Sequence, residues 1–446
     1  MARRRREADP AAAAAPAAAA ATPAAPAVTD APAVRGLAVA ALAAASFFVL
    51  GLVVTRAILG EAAVVARVTT TFEVGGVSPF WLYAWLPGQL LAPGQPHWDT
   101  FREVDADAHV RRPELVAELA ALLRPRESKQ YVLVVGESGA GKSTAVRNAA
   151  RSLPWPVGCV YFSAPELVSS FSTDLALALG FFRPFEPLAS LYDWWGGQRA
   201  AGGHAGQSDE PDATWAAVRD VLLKAAAAFR AKHGRPAVLI IDAADYVAKK
   251  RPSFFGDLQD FAKVCADAGA LRIVFVSSEG AALPLMRASS AWSRLLKPPY
   301  EVHDIADDAA RDFLVSRGMD APGAAEEAVR TVTGGRFALL LDAASAAAAA
   351  KPVSAMREEL HIATNVVLKG LGLTPGHALF RALVSRGRVM SDAALDLAPA
   401  TALAALLRAN VLALHPDGSY SFHARHVESF FRGKGVVGED ALLGNE

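Results

Sequence analysis

Residues 136–144 spell GESGAGKST, and no other stretch of the 446-residue chain narrows its fold as far. The run follows an apolar, β-branched block, 131–135, long enough for one buried strand. It leads into a segment of helical composition. Glycines at both ends of the loop, with small residues between, let backbone N–H groups converge on anionic oxygens, and the helix start adds its positive dipole end. Strand, GxxxxGK[ST] loop and helix in that order predict a cradle for nucleotide phosphates. On this reading Gly136, Glu137, Ser138, Gly139, Ala140, Gly141, Lys142, Ser143 and Thr144 line the phosphates. Lys142 reaches the β- and γ-phosphates, and the Ser143 hydroxyl ligates Mg²⁺.

The chain is long enough for two or three domains. Its 45 acidic and 45 basic residues balance, so net charge gives no argument for nucleic acid or anionic substrates. Two cysteines, Cys159 and Cys265, sit in apolar surroundings and read as small core residues, with no disulfide framework or metal site. Residues 1–35 are largely a low-complexity Ala/Pro arm that cannot build a core.

Residues 36–55 carry no charge and are bracketed by Arg35 and Arg56. That is about the 20 residues needed to span a bilayer, so 36–58 is expected to be a single transmembrane helix, with a buried core helix as the alternative. Arg3 to Arg6 and Arg35 outnumber Arg56 and Arg67, which would keep the N-terminus cytoplasmic and put the nucleotide site on the far side. An organelle or endomembrane is the expected location, and the side stays open. Residues 59–100 are expected to be juxtamembrane. Trp81, Tyr83 and Trp85 suit an interface, and Pro79, Pro87 and Pro93 argue against a second span.

Further strands are expected at 157–163, 238–241, 271–280 and 300–305, separated by helical segments, which predicts a right-handed, mostly parallel sheet with its ligand at the carboxyl edge. The run 238–241 is continuously apolar, as a fully buried strand should be, and ends at Asp242. An aspartate there is a magnesium ligand, the Walker B position. Asp245 is the nearest carboxylate able to position or deprotonate a water, with a helix N-cap as its alternative role. Ser277 or Ser278 would sit beside the γ-phosphate if the strand before them lies between the Walker A and Walker B strands, with a plain strand-end turn as the alternative.

The DAAD at 242–245 resembles the NACHT form of Walker B, and the whole pattern is similar to the STAND and AAA+ groups of P-loop NTPases. The NACHT pattern would follow Asp245 with another acid, where this chain has Tyr246. The stretch 258–280 with SAWSR at 290–294 is similar to ATPase modules of microbial eukaryotes, some attached to Crinkler-type proteins. The resemblance covers roughly 100–430. It implies an α/β P-loop NTPase of the additional-strand class over 101–300, a helical lid over 301–365 and a winged helix over 366–435, before a tail at 436–446. It also implies ATP with Mg²⁺, a sensor or finger arginine at Arg287 or Arg294, and a second sensor at Arg336 beside the turn at 333–336. Each arginine has a solvated alternative.

The C-terminal module reads as helices followed by a hairpin around Pro416, Asp417 and Gly418. A winged helix can bind DNA, yet the candidate recognition helix, 399–409, offers only Arg408 as a cation. Packing against the nucleotide domain is the favoured role. The sequence therefore predicts a membrane-anchored, slowly hydrolysing ATPase that acts as a conformational switch, open to nucleotide-dependent homo-oligomerisation. Its rivals are a non-hydrolysing ATP-binding scaffold, since Ala243 stands where many relatives carry a catalytic Glu, and a DNA-binding loader ATPase.

Overall fold

A computed structural model describes residues 42–43, 45–51, 61–75, 110, 112–180, 213–278 and 282–434. The chain divides into two units, Met1–Ile58 and Leu59–Glu446. In the first, residues 45–51 are helical and Phe47, Phe48, Val49 and Leu50 are exposed. The rest of the expected span at 36–58 lies mostly outside the described residues. Among the described residues, no helix is long and apolar enough to cross a membrane.

The second unit begins with α1 (Glu61–Val74) and α2 (Pro113–Leu123), then β1 (Val132–Val135), α3 (Lys142–Arg151) and β2 (Cys159–Ser163). Next come α4 (Phe171–Ala178), α5 (Ala213–His233), β3 (Ala237–Asp242), α6 (Ala244–Lys250), α7 (Pro252–Ala268), β4 (Leu271–Val276), α8 (Ala282–Ala288) and β5 (Tyr300–Glu301). The five strands form one parallel sheet in the order β2-β3-β4-β1-β5. β4 therefore lies between β1 and β3, the insertion on which the placement of Ser277 depended.

Side chains alternate across this sheet with the period of two that a strand imposes. Leu133, Val160, Phe162, Leu239, Ile241, Ile273 and Phe275 face one side and pack with α1, α4, α5 and α7. Val132, Val134, Cys159, Tyr161, Val238, Ile240, Val274 and Val276 face the other and pack with α2 and α3. Both cysteines are buried and unpaired, as their apolar neighbours suggest.

The segment after the apolar stretch corrects an expectation. Residues 61–74 are not a juxtamembrane strap but a helix of the ATPase core. Val64, Val68 and Phe72 fall at i, i+4 and i+8, so one apolar stripe faces the sheet layer and all three are buried. Three consecutive threonines hide that stripe in the sequence. Thr71 and Thr69 turn their hydroxyls to backbone carbonyls, reaching Leu179 at 3.1 Å and Ala225 at 3.4 Å. The aromatic segment at 77–94 lies outside the described residues.

Beyond the sheet, α9 (Asp307–Ser316), α10 (Ala324–Ala328), a π-turn at Val329–Thr333, α11 (Phe337–Ala348) and α12 (Val353–Gly370) make a small helical layer. Most of it shares one core around Leu314, Val332 and Leu340. The last module is α13 (Ala378–Arg386), β6 (Val389–Met390), α14 (Ser391–Leu397), α15 (Ala400–Arg408), β7 (Leu412–Leu414), β8 (Ser419–Phe422) and α16 (Arg425–Gly433). Its three strands are antiparallel in the order β6-β8-β7, and its core is built on Phe380, Phe430 and Phe431.

Candidate active site

The loop from Gly136 to Gly141 closes the carboxyl end of β1, and its turns need glycine. Gly139 and Gly141 have φ of 81° and 89°, a region costly to residues with a Cβ. At Gly136 a Cβ would lie 2.4 Å from the Val302 carbonyl oxygen. Lys142 opens α3 and is buried, its ammonium donating to the Glu137 carbonyl at 2.6 Å. Burial pulls its pKa down to about 8, against the opposing pull of Glu137, Asp245 and Asp242. The Glu137 carboxyl is pushed up to about 7 by burial, against Arg336 and Lys142. It meets His423 Nε2 at 3.1 Å. That spacing would suit an ion pair, yet burial and the nearby Arg336 hold His423 down at about 3, so the imidazole is neutral.

β3 delivers Asp242 to the same edge, buried. Its Oδ1 accepts the Ala243 N–H at 2.7 Å, and its Oδ2 accepts a short hydrogen bond from the Tyr161 hydroxyl. Ala243 adopts φ 54°, left-handed without being glycine. The Ser143 hydroxyl makes no hydrogen bond among the described residues, and with Asp242 it offers the all-oxygen donor set that suits Mg²⁺. When bound, Mg²⁺ supplies charge neutralisation across the β- and γ-phosphates.

Asp245 is also buried, and each of its oxygens accepts a hydrogen bond. Oδ1 accepts from Ser277 Oγ at 2.5 Å and Oδ2 from the Ser278 N–H at 2.6 Å. It therefore couples the helix after β3 to the end of β4. Burial raises its pKa, opposed by those two donors and Lys142. Each of its oxygens keeps a further lone pair, so these two bonds fix the orientation of the carboxylate without closing it to a water.

Arg336 reaches the site from the turn before α11 and is buried. Its guanidinium forks onto Asp304 at 2.7 and 3.0 Å. It also donates to the Ser138 carbonyl at 3.0 Å and to the His423 carbonyl at 2.6 Å. One side chain thus holds the phosphate loop, the end of the sheet layer and the C-terminal module. Ala338 adds a backbone bond to the Gly139 carbonyl at 3.1 Å. On the other flank, Arg112 donates to the carbonyls of Ala140 and His303 at 3.3 and 2.8 Å. Beside it a cavity of 290 Å³, lined by Val110, Pro113, Thr144, Asn148, Ile305 and Phe337 among others, opens onto the loop with mostly apolar walls, the shape and chemistry for a nucleobase.

Arg294 is not brought to the site. Its carbonyl accepts the Tyr131 N–H, at the amino end of β1, and its guanidinium pairs with Asp267 at 2.6 Å. The four residues of β1 span about 13 Å, so Arg294 lies at the opposite edge of the sheet from the loop. Arg287 instead donates to the Pro416 carbonyl at 2.5 Å, in the hairpin turn of the C-terminal module. Sequence reasoning missed Arg112, Tyr161, Asp304 and His423. Their partners lie far along the chain, 81 residues for Tyr161 with Asp242 and 87 for Arg336 with His423, and no local spacing marks such pairs.

The AAA ATPase domain family matches residues 109–263. No curated protein matches the chain. Among solved structures, the chain is similar to a Walker-type ATPase of Pyrococcus abyssi, 16% identical over 73% of this chain and 96% of that one, with a TM-score of 0.47. It is also similar to Cdc6p from Pyrobaculum aerophilum, 13% identical over 76% and 97%, TM-score 0.35. The Aeropyrum pernix ORC1 protein, solved in complex with DNA, is 15% identical over 78% and 98%, TM-score 0.37. The matched residues include β1, the glycine-rich loop, β2 and β3. Residues 109–263 thus match an AAA ATPase domain, in keeping with the parallel-sheet P-loop fold described above and with ATP hydrolysis as the activity.

Proposed function

We propose that the protein is an ATP-dependent conformational switch, in which occupancy of the phosphate loop sets the position of the helical layer and of the C-terminal module read as a winged helix. The observation that carries this reading is Arg336, whose single guanidinium touches Ser138, Asp304 and His423. Phosphates that displace its bond to the loop carbonyl would also loosen its hold on the module. Ala338, whose N–H donates to the Gly139 carbonyl, adds a second tie between the loop and the helical layer. A ligand moves such an equilibrium only through a difference in affinity for the two states, and these contacts supply that difference.

Turnover in this proposal is slow, because Ala243 offers no carboxylate next to Asp242 and Asp245 is held in one orientation by Ser277 and Ser278. ATP with Mg²⁺ is the ligand, with Lys142 on the phosphates and Ser143 and Asp242 on the metal. The module favours clamping over DNA reading. Leu407, from the end of the candidate recognition helix, lines one crevice with Ser277 and Ser278. A DNA loader would instead present that helix to the duplex. The apolar stretch at 36–58 is proposed as the membrane anchor, supported by its length, the absence of charge over 36–55 and the exposed Phe47 to Leu50. Carbonate-resistant sedimentation of the full chain with membranes, lost on deleting 36–58, tests it.

The switch is tested by hydrogen exchange on the full chain with and without Mg²⁺·ATP. Protection should change at 411–433 as well as in the phosphate loop. Arg336→Lys, which keeps the charge but not the fork, should keep the loop response and lose the distal one. A distal segment indifferent to nucleotide in the parent would remove the proposal. Asp245→Asn separates the scaffold reading: a parent that binds ATP but releases no phosphate, like this variant, is a nucleotide-sensing scaffold.

A further inference from the structure

We propose that Tyr161 is a positioning residue for the Walker B aspartate, holding Asp242 in the orientation that serves the divalent cation, so that magnesium use rather than nucleotide binding itself depends on its hydroxyl. The inference rests on the nucleotide reading above and names a further residue of that site.

Tyr161 is in the middle of β2, buried on the face that packs with α3. Its ring fills the core as phenylalanine could. Its hydroxyl could not be buried there without a partner. That partner is Asp242 Oδ2, on the neighbouring strand. The register explains the reach: Tyr161 pairs with Ile240 and Ser163 with Asp242, so the phenol extends along the strand direction to the next same-face position. The other carboxylate oxygen is fixed by the Ala243 N–H, donated from a left-handed residue. Rotation of the Asp242 carboxylate would break both bonds at once.

The ring is itself clamped. The Arg147 guanidinium lies 5.1 Å from its centroid. Arg147 follows Ser143 by four residues on α3, so both project from one face of that helix. The two expected metal ligands, Ser143 on the loop helix and Asp242 on β3, are therefore joined through one tyrosine. A tyrosine serving packing alone would need some partner for its hydroxyl, and the partner here is the carboxylate of the expected metal set, held on its other oxygen by Ala243.

The test uses the full chain and a fluorescent ATP analogue, titrated in EDTA and then against MgCl₂ at fixed nucleotide. Tyr161→Phe should raise the Mg²⁺ midpoint about tenfold, the scale of a hydrogen bond to a charged group, and leave affinity in EDTA within about twofold of the parent. In an Asp242→Ala background the same substitution should shift the Mg²⁺ midpoint no further. Arg147→Met, which loosens the ring without removing the hydroxyl, should move the midpoint in the same direction by less, and it carries the test if the phenylalanine variant does not fold. An unchanged or lowered Mg²⁺ midpoint overturns the proposal, as does an equal loss of affinity with and without Mg²⁺. A parent that binds no nucleotide in either condition overturns the nucleotide reading and this one with it. A parent that binds, beside a variant with an unchanged midpoint, overturns only the role of Tyr161.

Discussion

At the scale of single residues, burial tunes the phosphate loop more than sequence spacing does. Glu137 is raised to about 7 and Lys142 lowered to about 8 by the same loss of water. A bound phosphate favours a neutral Glu137 and a charged Lys142, so nucleotide binding takes up protons where these groups are otherwise deprotonated. Affinity should therefore be highest at pH 6, fall as pH rises through about 7 when Glu137 ionises, and fall again through about 8 when Lys142 loses its proton. Fluorescent-nucleotide titrations from pH 6 to 9 check this. Glu137→Gln should erase the lower step and keep the upper one.

At the scale of elements, the helix that completes the ATPase core comes before the motif that announces it. The 61–74 helix covers one face of the sheet through Val64, Val68 and Phe72, and Gly158 and Val157 donate backbone bonds to its last residues at 2.8 and 2.9 Å. Phe72 is fully buried and 6.3 Å from Phe229, ring to ring. Phe72→Ala should destabilise the domain by about 3–5 kcal/mol, read from urea unfolding. A chain beginning near residue 59 should fold cooperatively, and one beginning near residue 101 should expose apolar surface and bind a hydrophobic dye. Equal stability of the two truncations would contradict this place for the helix.

At the scale of the whole molecule, the sheet layer, helical layer and C-terminal module meet at the phosphate loop, so a ligand there should stabilise the second unit as one body. At about a hundred times its dissociation constant, Mg²⁺·ATP should add about 2.7 kcal/mol to unfolding, raising Tm in a single transition. Lys142→Ala should abolish that gain with little change in the Tm of the free protein. A gain confined to an early transition would mean that the C-terminal module melts on its own.

The Walker A loop, the succession of strands along the chain and the aspartate closing β3 were legible in sequence, because each is set by local chemistry: glycine where φ is positive, β-branched runs where a strand is buried on both faces, an acid where the chain leaves the sheet. Ser277 was legible conditionally, since its neighbourhood depended on where β4 inserts. Asp245 was found, although its partners were not, and Arg294 was placed on the wrong edge because an arginine after a strand carries no mark of which end of the sheet it returns to. The helix at 61–74 was obscured by threonines that satisfy their hydroxyls on backbone carbonyls. What the sequence by itself determined is a P-loop ATPase fold, with its glycine-rich loop after β1 and the aspartate that closes β3. Only the tertiary structure decided that Tyr161 grips that acid, that Asp245 is held in one orientation, and that Arg336 and His423 bring the C-terminal module onto the loop. Those contacts join residues tens to hundreds of positions apart, and their energies come from desolvation and geometry that exist only once the layers have closed.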